Sequence, residues 1–173
     1  MRVIHLSLFW TIMLDSAAWA IIQTGIAYLA LRFPPSLLDY RLWLFRPRPW
    51  ERNGALYEQV FRVRRWKTRL PSAGGTFFRN AFSIRQVASA DVQYLDTWVR
   101  ESCRAELCHW LAILPSLLFF LWNPWPVGFM MIAYAIAFNS PCIIAQRYNR
   151  PRLLSILRKR AAQYGQAASP SIT

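Results

Sequence analysis

Asp96–Pro115 reads DTWVRESCRAELCHWLAILP, and its change of character along its length decides the fold class. The first half sets charged against apolar residues at helical spacing, and the second half is almost pure hydrocarbon. Arg104, Glu106 and His109 stand at the changeover. An element of this kind begins as an amphipathic helix in water or headgroups and ends inside a bilayer. Ionisable groups at that depth are functional candidates, because a charge in lipid is costly.

Downstream, residues 107–146 contain no Asp, Glu, Lys or Arg. The run holds two spans if a turn divides it, and Asn123-Pro-Trp-Pro126 supplies the turn, with Trp122 and Trp125 as interfacial anchors. One span, over residues 105–122, crosses only by including the last amphipathic turn, which places Glu106 and His109 just inside one membrane face. The next, over 126–146, contains Asn139-Ser-Pro141, a polar kink that opens space in a bundle.

Upstream, residues 3–31 carry one formally charged side chain, Asp15. As a helix the run is ~43 Å long at 1.5 Å per residue, against a hydrocarbon core of ~30 Å, so it tilts, kinks or emerges on one side. It is too long for a signal-peptide core and lacks a small-residue cleavage site, and is expected to be retained. Asp15 lies near the middle, where a charge costs at least ~2.5 kcal/mol. It either locks helix packing or lines a substrate site, with Thr11 and Trp19 on its face and Gln23 about a quarter turn away. Phe33-Pro-Pro35 ends the helix.

The expected fold is therefore an all-α integral membrane protein with three transmembrane helices plus interfacial amphipathic helices. Residues 1–164 form one membrane domain, with a loop over 32–104 and a disordered tail at 165–173. The chain has 173 residues, 55% of them hydrophobic, and a net charge of +13. Such a charge alone suggests nucleic acid; here the basic residues flank apolar runs, which points to anionic lipid headgroups and to no nucleic-acid partner.

Within the loop, Ser36 is expected to cap a short helix through Phe45, with Leu37, Leu38, Trp43 and Leu44 dipping into the interface. Residues 46–50 read as extended linker, and 51–69 as a short helix with a basic cluster of Arg62, Arg64, Arg65, Lys67 and Arg69 around Trp66. That cluster suits a lipid-binding patch or a phosphate-bearing donor such as acyl-coenzyme A. Residues 71–75 form a turn, 76–88 a loop or short helix, and Asp91 an N-cap before an apolar stripe of Val92, Leu95 and Val99. After Gln146, a basic amphipathic helix is expected over 151–163. Ten basic residues lie within 32–69, six follow Gln146, and the turn at 123–126 has none. The positive-inside rule puts the long loop and the C-terminus in the cytoplasm and the N-terminus outside, in a multi-pass cell-membrane protein.

On a helix Ser102, Glu106, His109 and Ile113 share a face. A Glu-His pair at i, i+3 can orient the imidazole, set its tautomer and make it a general base for acyl transfer to an alcohol. No metal is expected, because a di-iron site needs a second Glu-x-x-His and further carboxylates, and the other histidine, His5, lies near the opposite membrane face. Cys103, Cys108 and Cys142 show no CxxC spacing, which disfavours a zinc site or disulfide framework; they read as buried thiols.

The segments RAELCHWLAILP (104–115) and NSPCIIAQRYNRPRL (139–153) resemble the glycosyl-4,4'-diaponeurosporenoate acyltransferase family, which acts in staphyloxanthin-type carotenoid synthesis. The resemblance extends over WAIIQTGIAYLALRFP (19–34) and ERNGALYEQVFRVRRWK (51–67), and so over most of residues 19–160. Residues 71–94 depart most from the pattern, and Cys103 and Cys108 are not part of it. The resemblance implies a small membrane enzyme that esterifies the sugar of a glycosylated carotenoid with a fatty acyl chain. Arg104, Glu106, His109 and Trp110 match one motif, and Asn139, Pro141, Gln146, Arg147, Tyr148, Asn149, Arg150, Pro151 and Arg152 match the second. Gln23, Arg32, Glu51, Gly54, Trp66 and Lys67 match scattered positions.

The expectation is a membrane acyltransferase acting on a sugar hydroxyl of a glycosylated carotenoid or similar glycolipid, with no bound cofactor and acyl-coenzyme A as donor. His109 is the expected base, held by Glu106. Arg104, Asn139, Gln146, Arg147, Tyr148, Asn149, Arg150 and Arg152 are expected to bind donor or substrate, joined by Trp66, Lys67, Gln23 and Asp15. The alternative is a non-catalytic lipid- or pigment-binding subunit of a larger membrane complex. A cavity beside His109 that opens to the bilayer and holds an acyl chain or glycolipid favours the enzyme, and a filled core the subunit.

Overall fold

In a computed structural model, which describes residues 4–70 and 91–167 with side chains as far as residue 163, all the regular structure described is helical. The expected turn at 71–75, the loop or short helix at 76–88 and most of the tail at 165–173 lie outside the described residues. Helix α1 spans Leu8–Ala30, short helices α2 and α3 span Ala55–Phe61 and Val63–Trp66, α4 spans Val92–Ile113, and α5 spans Trp125–Ala167. A 3-10 segment, Leu114–Leu121, extends α4, beginning where Pro115 removes a backbone donor. Three helical stretches, Leu8–Ala30, Val92–Leu121 and Trp125–Gln163, are long and apolar enough to cross a membrane.

Where the sequence reads as one membrane domain, the chain groups into two compact units. The first is Met1–Phe33 with Ala105–Ile143, and the second is Pro34–Arg104 with Ile144–Thr173.

In the first unit, α1 runs antiparallel to the 114–121 segment. The Ile4 amide donates to the Leu121 carbonyl at 3.0 Å. Trp19 stacks on Phe119 with ring centres 4.9 Å apart and meets Tyr134 of α5 edge-on at 5.1 Å. Small side chains at Ala112 and Ala135 are fully covered, as close helix approach in lipid requires. Many large apolar side chains nevertheless face outwards: Leu8, Trp10, Ile21, Leu117, Met130 and Phe138 are all more than half exposed. Water would penalise so much exposed hydrocarbon, and lipid does not.

The second unit has its own core. Leu95, Trp98 and Val99 of α4 pack with Leu153 and Leu154 of α5, and Tyr57, Val63 and Tyr148 form a second cluster. Asp91 caps α4 as its sequence suggests, its Oδ2 accepting the Gln93 and Tyr94 amides at 3.0 and 3.2 Å. Two expectations change here. The segment expected as a helix from Ser36 to Phe45 is a 3-10 turn at Pro35–Leu38 followed by an Asp39 turn, in which Oδ1 accepts the Arg41 amide at 2.8 Å. Leu38, expected at the interface, is a core residue, as is Phe45. The basic helix expected over 151–163 is not separate: α5 continues through Pro141 and Pro151 without a break. Each proline forfeits one backbone donor, while burial of Arg147 and Arg150 in this unit holds the helix past the end of its apolar run.

Gly54 shows how tightly α5 packs on the turn before α2. Its φ is +84°, and a Cβ there would lie 2.8 Å from the Tyr148 carbonyl oxygen. Gly54→Ala therefore combines a left-handed penalty of about 1–2 kcal/mol with a backbone clash that no rotamer relieves. A thermal midpoint well below wild type, in detergent, is the expected result, and an unchanged midpoint would contradict the contact.

Candidate active site

His109 and Asn139 lie on different helices of the first unit and meet there. Counting from the 122–124 turn, each stands some fourteen residues along its helical stretch, on the order of 20–25 Å from that turn. They thus lie towards the end where α1 terminates at Ala30. His109 Nδ1 and Asn139 Oδ1 are 2.8 Å apart. Asn139 Nδ2 donates to the Ala135 carbonyl at 2.8 Å, which fixes the amide with its oxygen turned towards the imidazole. That oxygen can only accept, so Nδ1 carries a proton, and in the neutral ring the lone pair is on Nε2. The arrangement orients the imidazole with Nε2 as its basic atom.

The imidazole is thus held by Asn139 rather than by Glu106. Glu106 is fully buried, and its Oε1 accepts the Trp110 indole N–H one turn along the helix at 3.3 Å. At i, i+4 the carboxylate and indole stack along the helix, whereas Asn139 approaches His109 from across the interface. Cys108 and Cys142 are partly buried free thiols in the same unit.

Asp15 occupies the turn end of this unit. One of its oxygens, Oδ1, accepts the Trp122 indole N–H at 2.7 Å and the Asn123 side-chain amide at 2.8 Å. Of its two readings, helix locking is the one these contacts favour. Gln23 has a buried Nε2 with no hydrogen-bond partner among the described residues.

In the second unit the Arg-Tyr-Asn-Arg-Pro-Arg stretch divides by role. Arg147 Nη1 pairs with Glu51 Oε1 at 3.0 Å, and its Nη2 reaches the Leu44 carbonyl. Glu51 also accepts the Tyr57 hydroxyl at 2.8 Å and the Arg48 amide at 2.9 Å. Arg150, 1% exposed, donates to the Phe45 and Ser102 carbonyls, both at 3.0 Å. Both guanidiniums are thereby committed to the fold. Arg104 is paired with Glu101 at 3.0 Å, and Gln146 is buried with an Oε1 that finds no partner among the described residues.

Tyr148 gathers cations. Arg152 and Lys67 lie 3.7 and 4.9 Å from its ring centre, and the Arg64 Nε–H donates to its hydroxyl at 2.9 Å. Lys67 also donates to Asn149 Oδ1 at 2.8 Å. Burial, and then the charges of Arg152 and Arg64, hold the Lys67 ammonium below its usual pKa, against an opposing pull from Glu58. Trp66 packs beside this cluster and donates its indole N–H to the Phe61 carbonyl at 2.7 Å. Sequence spacing does not reveal the role of Glu51: a single carboxylate near a dense basic run gives no sign of which arginine it will bury.

A family model described as glycosyl-4,4'-diaponeurosporenoate acyltransferase matches residues 41–159. A protein of that name from Staphylococcus haemolyticus (strain JCSC1435) is 34% identical over 148 residues, covering 83% of this chain and 85% of the relative. Another, from Staphylococcus aureus (strain MRSA252), is 36% identical over 143 residues, covering 83% and 86%. No solved structure gives a significant match.

Proposed function

The chain belongs to the glycosyl-4,4'-diaponeurosporenoate acyltransferase family, and from this we propose that it transfers a fatty acyl group from acyl-coenzyme A to a sugar hydroxyl of a glycosylated carotenoid. In this reading the His109 Nε2 lone pair takes the hydroxyl proton as the sugar oxygen attacks the thioester carbonyl carbon. The new C–O ester bond forms, the C–S bond breaks, and the proton passes from Nε2 to the departing thiolate. Asn139 keeps Nδ1 protonated throughout and so keeps Nε2 the basic atom. Glu106, close by on the same helix, favours the positive charge that develops on the ring.

The observation that supports this reading is the fixed orientation of His109 by Asn139 at 2.8 Å. It joins the two sequence motifs that characterise the chain. The topology that goes with it is multi-pass in the cell membrane, with the basic residues of 32–69 and those after Gln146 on the cytoplasmic side, where acyl-coenzyme A is available. The test uses purified protein in detergent, glycosyl-4,4'-diaponeurosporenoate and a long-chain acyl-coenzyme A. Mass spectrometry is expected to show the acceptor gaining one acyl chain in ester linkage to the sugar. Absence of that product with every chain length supplied would overturn the reading.

A further inference from the structure

The turn before α2 is held in an unfavourable backbone conformation. Arg52 and Asn53 both adopt left-handed geometry, at φ 48° and 54°, ahead of Gly54 at φ 84°. Asparagine and glycine tolerate this region, so the strain falls on Arg52. Strain of this kind persists where the surroundings enforce it, and it is concentrated at functional sites. Here it brings Arg52 and Asn53 beside a face of α5 that carries Arg152, Ser155, Arg158 and Lys159, and these residues line a groove of about 700 Å³. That volume suits a ligand much larger than a single ion.

The lining is one-sided in charge. Four of its side chains are cationic, Asn53 and Ser155 supply neutral hydrogen-bonding groups, and no carboxylate takes part. The ion pairs among the described residues join Arg100 to Asp96, Arg104 to Glu101 and Arg147 to Glu51, so none satisfies the groove. Arg152 is braced by a 2.7 Å bond to the Tyr148 carbonyl, which orients it without neutralising it. On α5, Arg152, Ser155 and Lys159 follow at helical spacing and share one face. Four like charges converging on a concave surface repel one another unless an anion fills it.

We infer that this groove is a phosphate-binding site, which takes the phosphate groups of acyl-coenzyme A or of an anionic phospholipid. Guanidinium groups bind phosphate oxygens in pairs, and an adjoining ammonium adds a point charge. Only the coenzyme A source rests on the acyl-transfer reading; the anion site stands without it.

The test titrates full-length protein in non-ionic detergent with coenzyme A and, separately, with short-chain phosphatidylglycerol against phosphatidylcholine, at low and high salt. The triple variant Arg52→Gln/Arg158→Gln/Lys159→Gln removes three exposed charges and leaves Arg152 in place. At least about tenfold weaker binding is expected, because three cationic contacts to phosphate oxygens are removed. A loss confined to coenzyme A identifies the acyl donor, a loss confined to phosphatidylglycerol identifies the headgroup, and either establishes the site. His109→Ala binds both probes like wild type, which separates this site from the chemistry. Wild-type protein that binds neither probe overturns the inference. So does a triple variant, with wild-type helical content, that binds both probes as wild type does.

Discussion

His109→Ala is expected to lower acyl transfer by about 10²–10⁴-fold, the usual contribution of a positioned general base, with little loss of fold. The expectation follows from where the proton sits. Asn139 presents only its carbonyl oxygen to the ring, because its Nδ2 is held by Ala135. The free lone pair is therefore on Nε2, and deleting the ring deletes the base. Asn139 is a positioning residue, and its variants should separate accordingly. Asn139→Asp keeps an oxygen that accepts from Nδ1–H and should retain most of the turnover. Asn139→Leu removes that acceptor, lets the other tautomer compete, and should lose turnover while the thermal midpoint changes less. Acyl-transfer rates alongside circular dichroism of each variant decide the matter. Undiminished turnover in a folded His109→Ala protein would remove the histidine from the mechanism.

The second large effect is on stability. Glu51→Ala should destabilise the second unit by about 3–5 kcal/mol, the cost of stranding a buried charge. Glu51 is 1% exposed and accepts from the Arg147 guanidinium, the Tyr57 hydroxyl and the Arg48 amide. Its loss removes the counter-charge of the Arg147 cation inside the protein. Replacing both partners, Glu51→Met with Arg147→Met, should cost less than either single change, since it removes both charges rather than one. Denaturant unfolding in detergent, followed by tryptophan fluorescence and circular dichroism, measures this. A double variant less stable than both singles would contradict it.

The membrane-spanning elements are readable from composition because lipid imposes length and apolarity on them. The break at Asn123-Pro-Trp-Pro126 is readable because proline and tryptophan mark it, and the structure turns at residues 122–124. The Asp91 cap is readable for a similar reason: short polar side chains satisfy the amides at helix starts. What spacing cannot give is the choice among partners across an interface. Glu106 and His109 share a helix face, yet the imidazole bonds to Asn139, thirty residues away. The Arg147–Arg152 stretch reads as one cationic patch, but tertiary packing commits Arg147 and Arg150 to Glu51 and to backbone carbonyls, leaving Arg152 at the groove. Burial also overrides the local break signals at Pro141 and Pro151, so two expected elements become one helix. In the left-handed turn, Asn53-Gly54 is a turn signal in the sequence, but nothing local marks Arg52 for the same geometry.

The carboxylate of Asp15 sets a timetable for biogenesis. Its partners, Trp122 and Asn123, lie 107 and 108 positions further along the chain. At ~5–20 residues per second of synthesis, helix α1 waits roughly 5–20 seconds before anything encoded by this chain can satisfy that acid. Until then the newborn helix carries an acid that is costly to place in lipid. One hydrogen-bonded aspartate thus ties the first helix to the turn between the last two.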